Sequence, residues 1–165
     1  MTMFIEFDDV DEFSASAVGE PGSRVFYINA RSAGRRVTVR CEKQQVKAIA
    51  TYLRHVLSDL PPPEHRPMIA GASAPSEAAF ILGPIGLGYD RSSDRLVVQL
   101  EEIAVLDEEG DAIAGHDGHV RLYVTRGQAA AFCEHADRVI AAGRPDCRWC
   151  SLPIDPDGHA CPRMN

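Results

Sequence analysis

No apolar run in the 165-residue sequence approaches the roughly 18 residues that a membrane-spanning helix requires. The first residues, Met1 to Asp9, offer neither a basic segment nor a long apolar stretch, so they do not read as a secretory signal, and a cytoplasmic protein is expected. Cationic surplus is lacking too. A formal net charge of -7 argues against generic nucleic-acid binding, which needs Lys and Arg in excess over the phosphates. There is a single tryptophan, Trp149, and no Ser-His-Asp order, paired-carboxylate motif or nucleophile elbow marks a reaction. What remains is a chain with 45% hydrophobic and 25% charged residues, enough for one ordinary globular core. It has five cysteines, an odd number, three of them between Cys147 and Cys161.

Charge is distributed in blocks. Residues 1–20 hold six acids and no Lys or Arg, whereas 24–54 hold eight bases (Arg24, Arg31, Arg35, Arg36, Arg40, Lys43, Lys47, Arg54) against Glu42 alone. A second acidic block holds Glu101, Glu102, Asp107, Glu108, Glu109 and Asp111. Two readings stand: acidic and basic blocks that pair or are solvated within one fold, or an anion-binding face built from Arg36, Arg40 and Lys43.

The pattern of elements is of the α+β class. Gly19 to Gly22 is a turn signal. The runs 24–31 and 35–42 flank Ser32-Ala33-Gly34 and read as a hairpin, with Val37, Val39 and Cys41 alternating against Arg36, Thr38 and Arg40. A helix over 43–60 follows, its stripe being Val46, Ile49, Ala50, Leu53, Val56, Leu57 and Leu60. Pro61-Pro62-Pro63 ends it, and 61–76 reads as a linker. Strands are then predicted over 78–89, 95–105 and 119–124. Thr125 and Gln128 form a capping box ahead of a second helix with stripe Ala129, Phe132, Cys133, Ala136, Val139 and Ile140. A shift of 83 residues overlays the first six stripe positions on these six, and Val37, Val39 and Cys41 on Val120, Leu122 and Val124. The expected architecture is therefore two similar β-hairpin/strand-plus-helix halves, 1–60 and 77–143, forming one antiparallel sheet covered by two helices. Residues 144–165 form a separate short tail.

That tail is the most informative segment. Cys147-x2-Cys150 lets two thiolates grip one ion from a tight turn. His159 and Cys161, two apart, point the same way on an extended strand, with Asp157-Gly158 as the turn that brings them back. Three Cys and one His make a closed tetrahedral site for one structural Zn²⁺, with Asp155 or Asp157 as substitutes for His159. A segment this short folds only with the ion. A redox Cys-x-x-Cys would sit at a helix N-terminus, which Pro153 and Pro156 oppose. Unrelated surface cysteines are the remaining alternative. Trp149, inside the metal loop, is expected to pack the tail onto the body.

Other motifs carry less. Gly83-Pro-Ile-Gly86-Leu-Gly88 lacks the following helix that a phosphate cradle needs and reads as a bulged or closely packed strand. His116 and His119 read as parts of a solvated loop. Cys41 and Cys133 fall on apolar stripes as core residues, while His55 and His135 fall off them as surface residues.

Phe7-Asp8, Val18 to Gly22, Phe26-Tyr27, Glu42 to Val46, Gly86 to Asp90, Arg126 to Ala129, Ala142 to Pro145 and the closing Cys-x2-Cys, Leu-Pro-Ile-Asp-Pro-Asp-Gly-His, Cys-Pro-Arg, Asn run together resemble one family. It is domain-of-unknown-function family three thousand and ninety, mainly of high-GC Gram-positive bacteria, and the likeness spans essentially the whole chain. Where that family reads Cys-Pro-x-Cys-Gly, this chain has Cys147-Arg148-Trp149-Cys150-Ser151, keeping the ligands and losing the Pro and Gly of the knuckle. The resemblance implies no defined activity. It does imply association with a phosphomutase-like histidine phosphatase and a lipid-kinase-like protein.

Two functions are therefore expected, in this order. The first is a non-enzymatic, zinc-containing binding or adaptor module that meets another protein through its basic strand-helix region. The second is an enzyme or ligand-binding protein for a phosphorylated small molecule, with Arg36, Arg40, Lys43, Gln45, Arg126 and Gln128 near two helix N-termini that favour anions. Nucleic-acid binding by the tail is the poorest fit, since 144–165 carries three Arg against three Asp and the thiolates add negative charge.

Overall fold

The computed structural model describes residues 3–70, 77–143, 148–150 and 161–163. Alternation of apolar and polar residues builds seven strands: β1 (Phe4–Phe7), β2 (Glu12–Val18), β3 (Val25–Ser32), β4 (Arg35–Cys41), β5 (Leu82–Asp90), β6 (Arg95–Glu102) and β7 (His119–Val124). Two stripes of period 3.6 build the helices α1 (Lys43–Ser58) and α2 (Arg126–Ala141). The class is α+β. Both helices have 16 residues, and their first residues, 43 and 126, are 83 apart.

The strands do not form the single antiparallel sheet expected. They divide into an antiparallel three-stranded sheet, β2-β3-β4, and a mixed four-stranded sheet, β1-β7-β6-β5, in which β1 runs parallel to β7. Parallel pairing between residues more than a hundred positions apart leaves no mark on local alternation, which is why the sequence concealed it. The sheets meet where Arg40 bridges Ile81, again in parallel. The Arg40 N–H donates to Phe80 O at 3.1 Å, and the Ala79 N–H to Thr38 O at 2.8 Å. The order thus continues from β1-β7-β6-β5 into β4-β3-β2. Because residues 8–11 join β1 to β2, it closes on itself through the chain.

One core results. Phe13, Ile28, Val39, Leu82, Leu96, Val98, Leu100 and Leu122 face Val46, Ile49, Leu53 and Phe132 of the helices in a single cluster. Phe13 and Phe132 stack with ring centroids 4.3 Å apart. The helices pack on each other where Cys133 Sγ donates to Ala50 O at 3.4 Å, and both cysteines expected in the core, Cys41 and Cys133, are buried. The Gly83–Gly88 stretch is strand, with a bulge between Leu82 and Ile85. A Cβ at Gly83 would lie 2.7 Å from the Ile103 Cα, so close strand approach demands glycine there. Among the described residues, no helix is long and apolar enough to cross a membrane.

Candidate functional site

The two glutamines expected near an anion site serve the backbone. Gln45 Oε1 accepts from the Glu42 N–H at 2.8 Å, and its Nε2 donates to Leu82 O (3.1 Å) and Gly83 O (3.2 Å). Gln128 does the same at α2: Oε1 accepts from the Thr125 N–H at 2.8 Å, and Nε2 donates to Val10 O. The Gln128 N–H donates in turn to Thr125 Oγ1 at 3.0 Å, completing the box expected there. Each glutamine thus fixes a helix start to the other half of the chain, Gln45 to the start of β5 and Gln128 to the connection between β1 and β2. The Thr125-x-x-Gln128 spacing announced the local capping bond at α2, but no residue type announces the long-range bond of either glutamine. Only the partner carbonyls, brought in from distant positions, reveal it.

The six polar residues of the expected anion site are divided between two junctions. Arg36, Arg40, Lys43 and Gln45 lie along β4 and the start of α1, beside the first residues of β5. Arg126 and Gln128 lie at the start of α2, where they line a cavity of about 520 Å³ together with Arg95, Thr125, His65, Asp94 and Glu64. In this cavity Arg126 Nη2 meets Asp94 Oδ2 at 3.3 Å, and Nη1 donates to Pro61 O. Asp94 accepts from the Tyr89 hydroxyl at 2.6 Å; this bond, with Arg126 beside it, holds the carboxyl below the usual carboxylate range, and the same bond raises the Tyr89 phenol against the opposing Arg126 charge. Arg95 faces Asp9 at 3.6 Å. His65, Arg95 and Asp94 were not singled out from the sequence, because they join the wall only when residues 61–70 lie across the α2 N-terminus. There the His65 carbonyl oxygen would be 2.0 Å from a Cβ at Gly127.

The charge blocks pair partly within the fold. Arg31 reaches Glu12 at 3.8 Å, but Glu6 pairs instead with Arg121 at 3.0 Å. Arg24 lies against the end of α2, its Nη1 donating to Val139 O at 2.7 Å, where a cation meets the negative end of the helix dipole. Arg54 binds Asp137 and Cys133 O across the helix pair.

Histidine placement departs from expectation twice. His135 is not a free surface residue: its ring is half-buried and Nε2 stands 2.9 Å from Ala15 O on β2. His119 is not in a solvated loop but opens β7, edge-on to the Phe4 ring at 5.3 Å, with Nε2 buried and without a hydrogen-bond partner. His116 stays exposed, 3.3 Å from Glu102 Oε1, and His55 is exposed as expected.

Of the four expected zinc ligands, Cys147 and His159 lie outside the described residues, as do Asp155 and Asp157. Cys161 is buried, with 7% of its surface exposed, and Cys150 is half-buried. Trp149, expected to pack the tail onto the body, leaves 55% of its surface exposed. Among the described residues no three His, Cys, Asp or Glu side chains gather as a metal site.

Comparison with known proteins adds one likeness. A family model described as "Protein of unknown function (DUF3090)" matches residues 5–161. No curated protein and no solved structure matches the chain.

Proposed function

The chain belongs to this family of unknown function, and from that footing we propose that it is a zinc-containing binding or adaptor protein of the cytoplasm. Cys147, Cys150, His159 and Cys161 hold one structural Zn²⁺. The observation that carries the reading is the burial of Cys161 in a stretch whose sequence, Asp155-Pro-Asp-Gly-His-Ala-Cys-Pro-Arg163, offers almost no apolar side chain to bury it. A cysteine removed from water is stabilised as a thiolate when a metal ion binds it. The donor set fits Zn²⁺, and four protein ligands leave no position open for a substrate, so the ion ties the tail together rather than reacting. Metal analysis of protein purified without added metal should give about one zinc per chain, and Cys161→Ser should lose it. A folded, metal-free tail ends the proposal. The partner class that family resemblance implies is a phosphomutase-like histidine phosphatase or a lipid-kinase-like protein. Pull-down of each by the intact chain, but not by Cys147→Ser, tests that step.

A second reading is favoured by the cavity at α2. Arg95, Arg126, Thr125 and His65 suit a phosphorylated small molecule, and Arg40 and Lys43 mark the corresponding junction at α1. Thermal-shift measurements with phosphorylated metabolites test it: a specific shift lost in Arg126→Ala supports it, and no shift with any of them rejects it.

We also read the two halves as copies of one unit. Supporting this are helices of equal length 83 residues apart and glutamines 45 and 128 performing the same bonding. Each of the two parallel pairings, β1 with β7 and Arg40 with Ile81, joins one half to the other. A crystal structure in which 35–58 and 118–141 fail to superpose would remove this reading.

A further inference from the structure

The outward face of the strands carries an ordered stripe. Ile81 stands opposite Arg40, and Ile103 pairs with Ile81, its N–H donating to Ile81 O at 2.8 Å. Beyond β6 the chain forms a protruding arm, in which Leu106 bridges Ala112 and the Ile113 N–H donates to Val105 O at 2.8 Å. Directly opposed residues share a face, as do alternate residues of a strand, so Arg36, Arg40, Ile81 and Ile103 lie on one side, with Thr38 buried between the two arginines, and the hydrogen-bonded, exposed pair Val105 and Ile113 comes next along the chain. That side faces away from the core, since Val37, Val39, Leu82 and Leu100 are the buried neighbours. Ile81, Ile103, Val105 and Ile113 are each more than a third exposed. The arm ends in a turn, where the Asp107 N–H donates to Asp111 O and Asp107 Oδ1 accepts from the Glu109 and Asp111 N–H groups. Between Arg95 and Arg121 the chain has no Lys or Arg, so the tip, with Glu108, Glu109 and Asp111, is purely acidic.

The stripe therefore runs basic, apolar, acidic. Among the described residues neither Arg40 nor Glu108 and Glu109 has an ion-pair partner. Four neighbouring exposed branched apolar side chains are a hydrophobic patch that water disfavours. A two-fold axis through the middle of such a stripe lays apolar centre on apolar centre and each acidic tip over the other copy's basic end. We propose that this face is an isologous interface taking a second copy of this chain. The charge order selects that occupant: the surface is complementary to itself in both charge and apolarity, whereas a purely basic or purely apolar partner matches only one end of it.

Sedimentation velocity on the full chain at about 50 µM, well above a Kd of about 1 µM, should give twice the 18.0 kDa chain mass. The double variant Val105→Asp/Ile113→Asp should return it to one chain mass with unchanged circular dichroism, since both side chains are exposed. Arg40→Glu alone, or Glu108→Arg/Glu109→Arg alone, should weaken the dimer at least tenfold. All three changes in one chain should restore it, because the two-fold pairs each swapped end with the other. A wild-type monomer at that concentration overturns the proposal. So does a dimer indifferent to Val105→Asp/Ile113→Asp, or a triple variant no better than its parts.

Discussion

Gly127 shows how much a single position can hold. It is the second residue of α2, buried, with the His65 carbonyl pressed onto it at a distance no Cβ tolerates. Gly127→Ala must push residues 61–70 off the helix start, at a cost of about 1–3 kcal/mol typical of overpacking. Equilibrium urea unfolding measures it, and a loss below about 0.5 kcal/mol would show that the segment yields freely. Two buried thiols supply a prediction in pH. Burial, aided by the Glu42 charge, pushes Cys41 up to about 12 from 9.0. Burial is likewise the main cause raising Cys133 to about 11, with Arg54 opposing it. Unfolded thiols ionise near 9 while the folded ones stay neutral. The stability tied to them is therefore complete below pH 9 and is lost as pH rises towards 11 and 12. Urea midpoints should fall from pH 8.5 to 10.5, and fall less in Cys41→Ala/Cys133→Ala. Equal slopes would assign the alkaline loss to other groups.

At the scale of elements, the helix starts join the halves. Gln45 and Gln128 each bind an N-cap N–H and a carbonyl from the opposite half, so truncation breaks a local and a long-range bond together. Gln45→Ala and Gln128→Ala should each cost about 1–2 kcal/mol in urea unfolding. Thr125→Ala, which removes the hydroxyl accepting from the Gln128 N–H while leaving the bond to Val10, should cost nearer 1 kcal/mol. A Gln128→Ala cost no greater than that of Thr125→Ala would mean that the Val10 bond adds nothing. The Thr125 capping box was legible because its residues are sequential neighbours. The bond to Val10 was not, since it depends on where β1 and β2 run.

For the whole molecule, closure of the strand order through residues 8–11 places the two helices and seven strands of the described residues around one core, and the described tail residues, 148–150 and 161–163, are not members of that cluster. Chelation of the full chain should therefore leave far-ultraviolet circular dichroism almost unchanged while proteases begin to cut within 144–165, read by mass spectrometry. Global unfolding on chelation would show instead that tail and core form one cooperative unit. The acidic composition that set nucleic acid aside is itself uneven: acids gather on the arm and bases along β4 and α1, an arrangement that a net charge of -7 hides.

The sequence by itself determined the α+β class, both helices, the strands β3 to β7 and the burial of Cys41 and Cys133. These follow from periodicity and capping, which act within about four residues along the chain. The ligand spacing of the tail was equally legible, as spacing is a property of sequence. Tertiary structure alone decided the parallel pairing of β1 with β7, the division into two sheets and the employment of Gln45 and Gln128 as ties. It also decided the cavity at Arg126 and the order of charge along the arm. Each of these depends on which distant backbone groups meet, and a backbone N–H or carbonyl is the same at every position, so no residue type announces its partner.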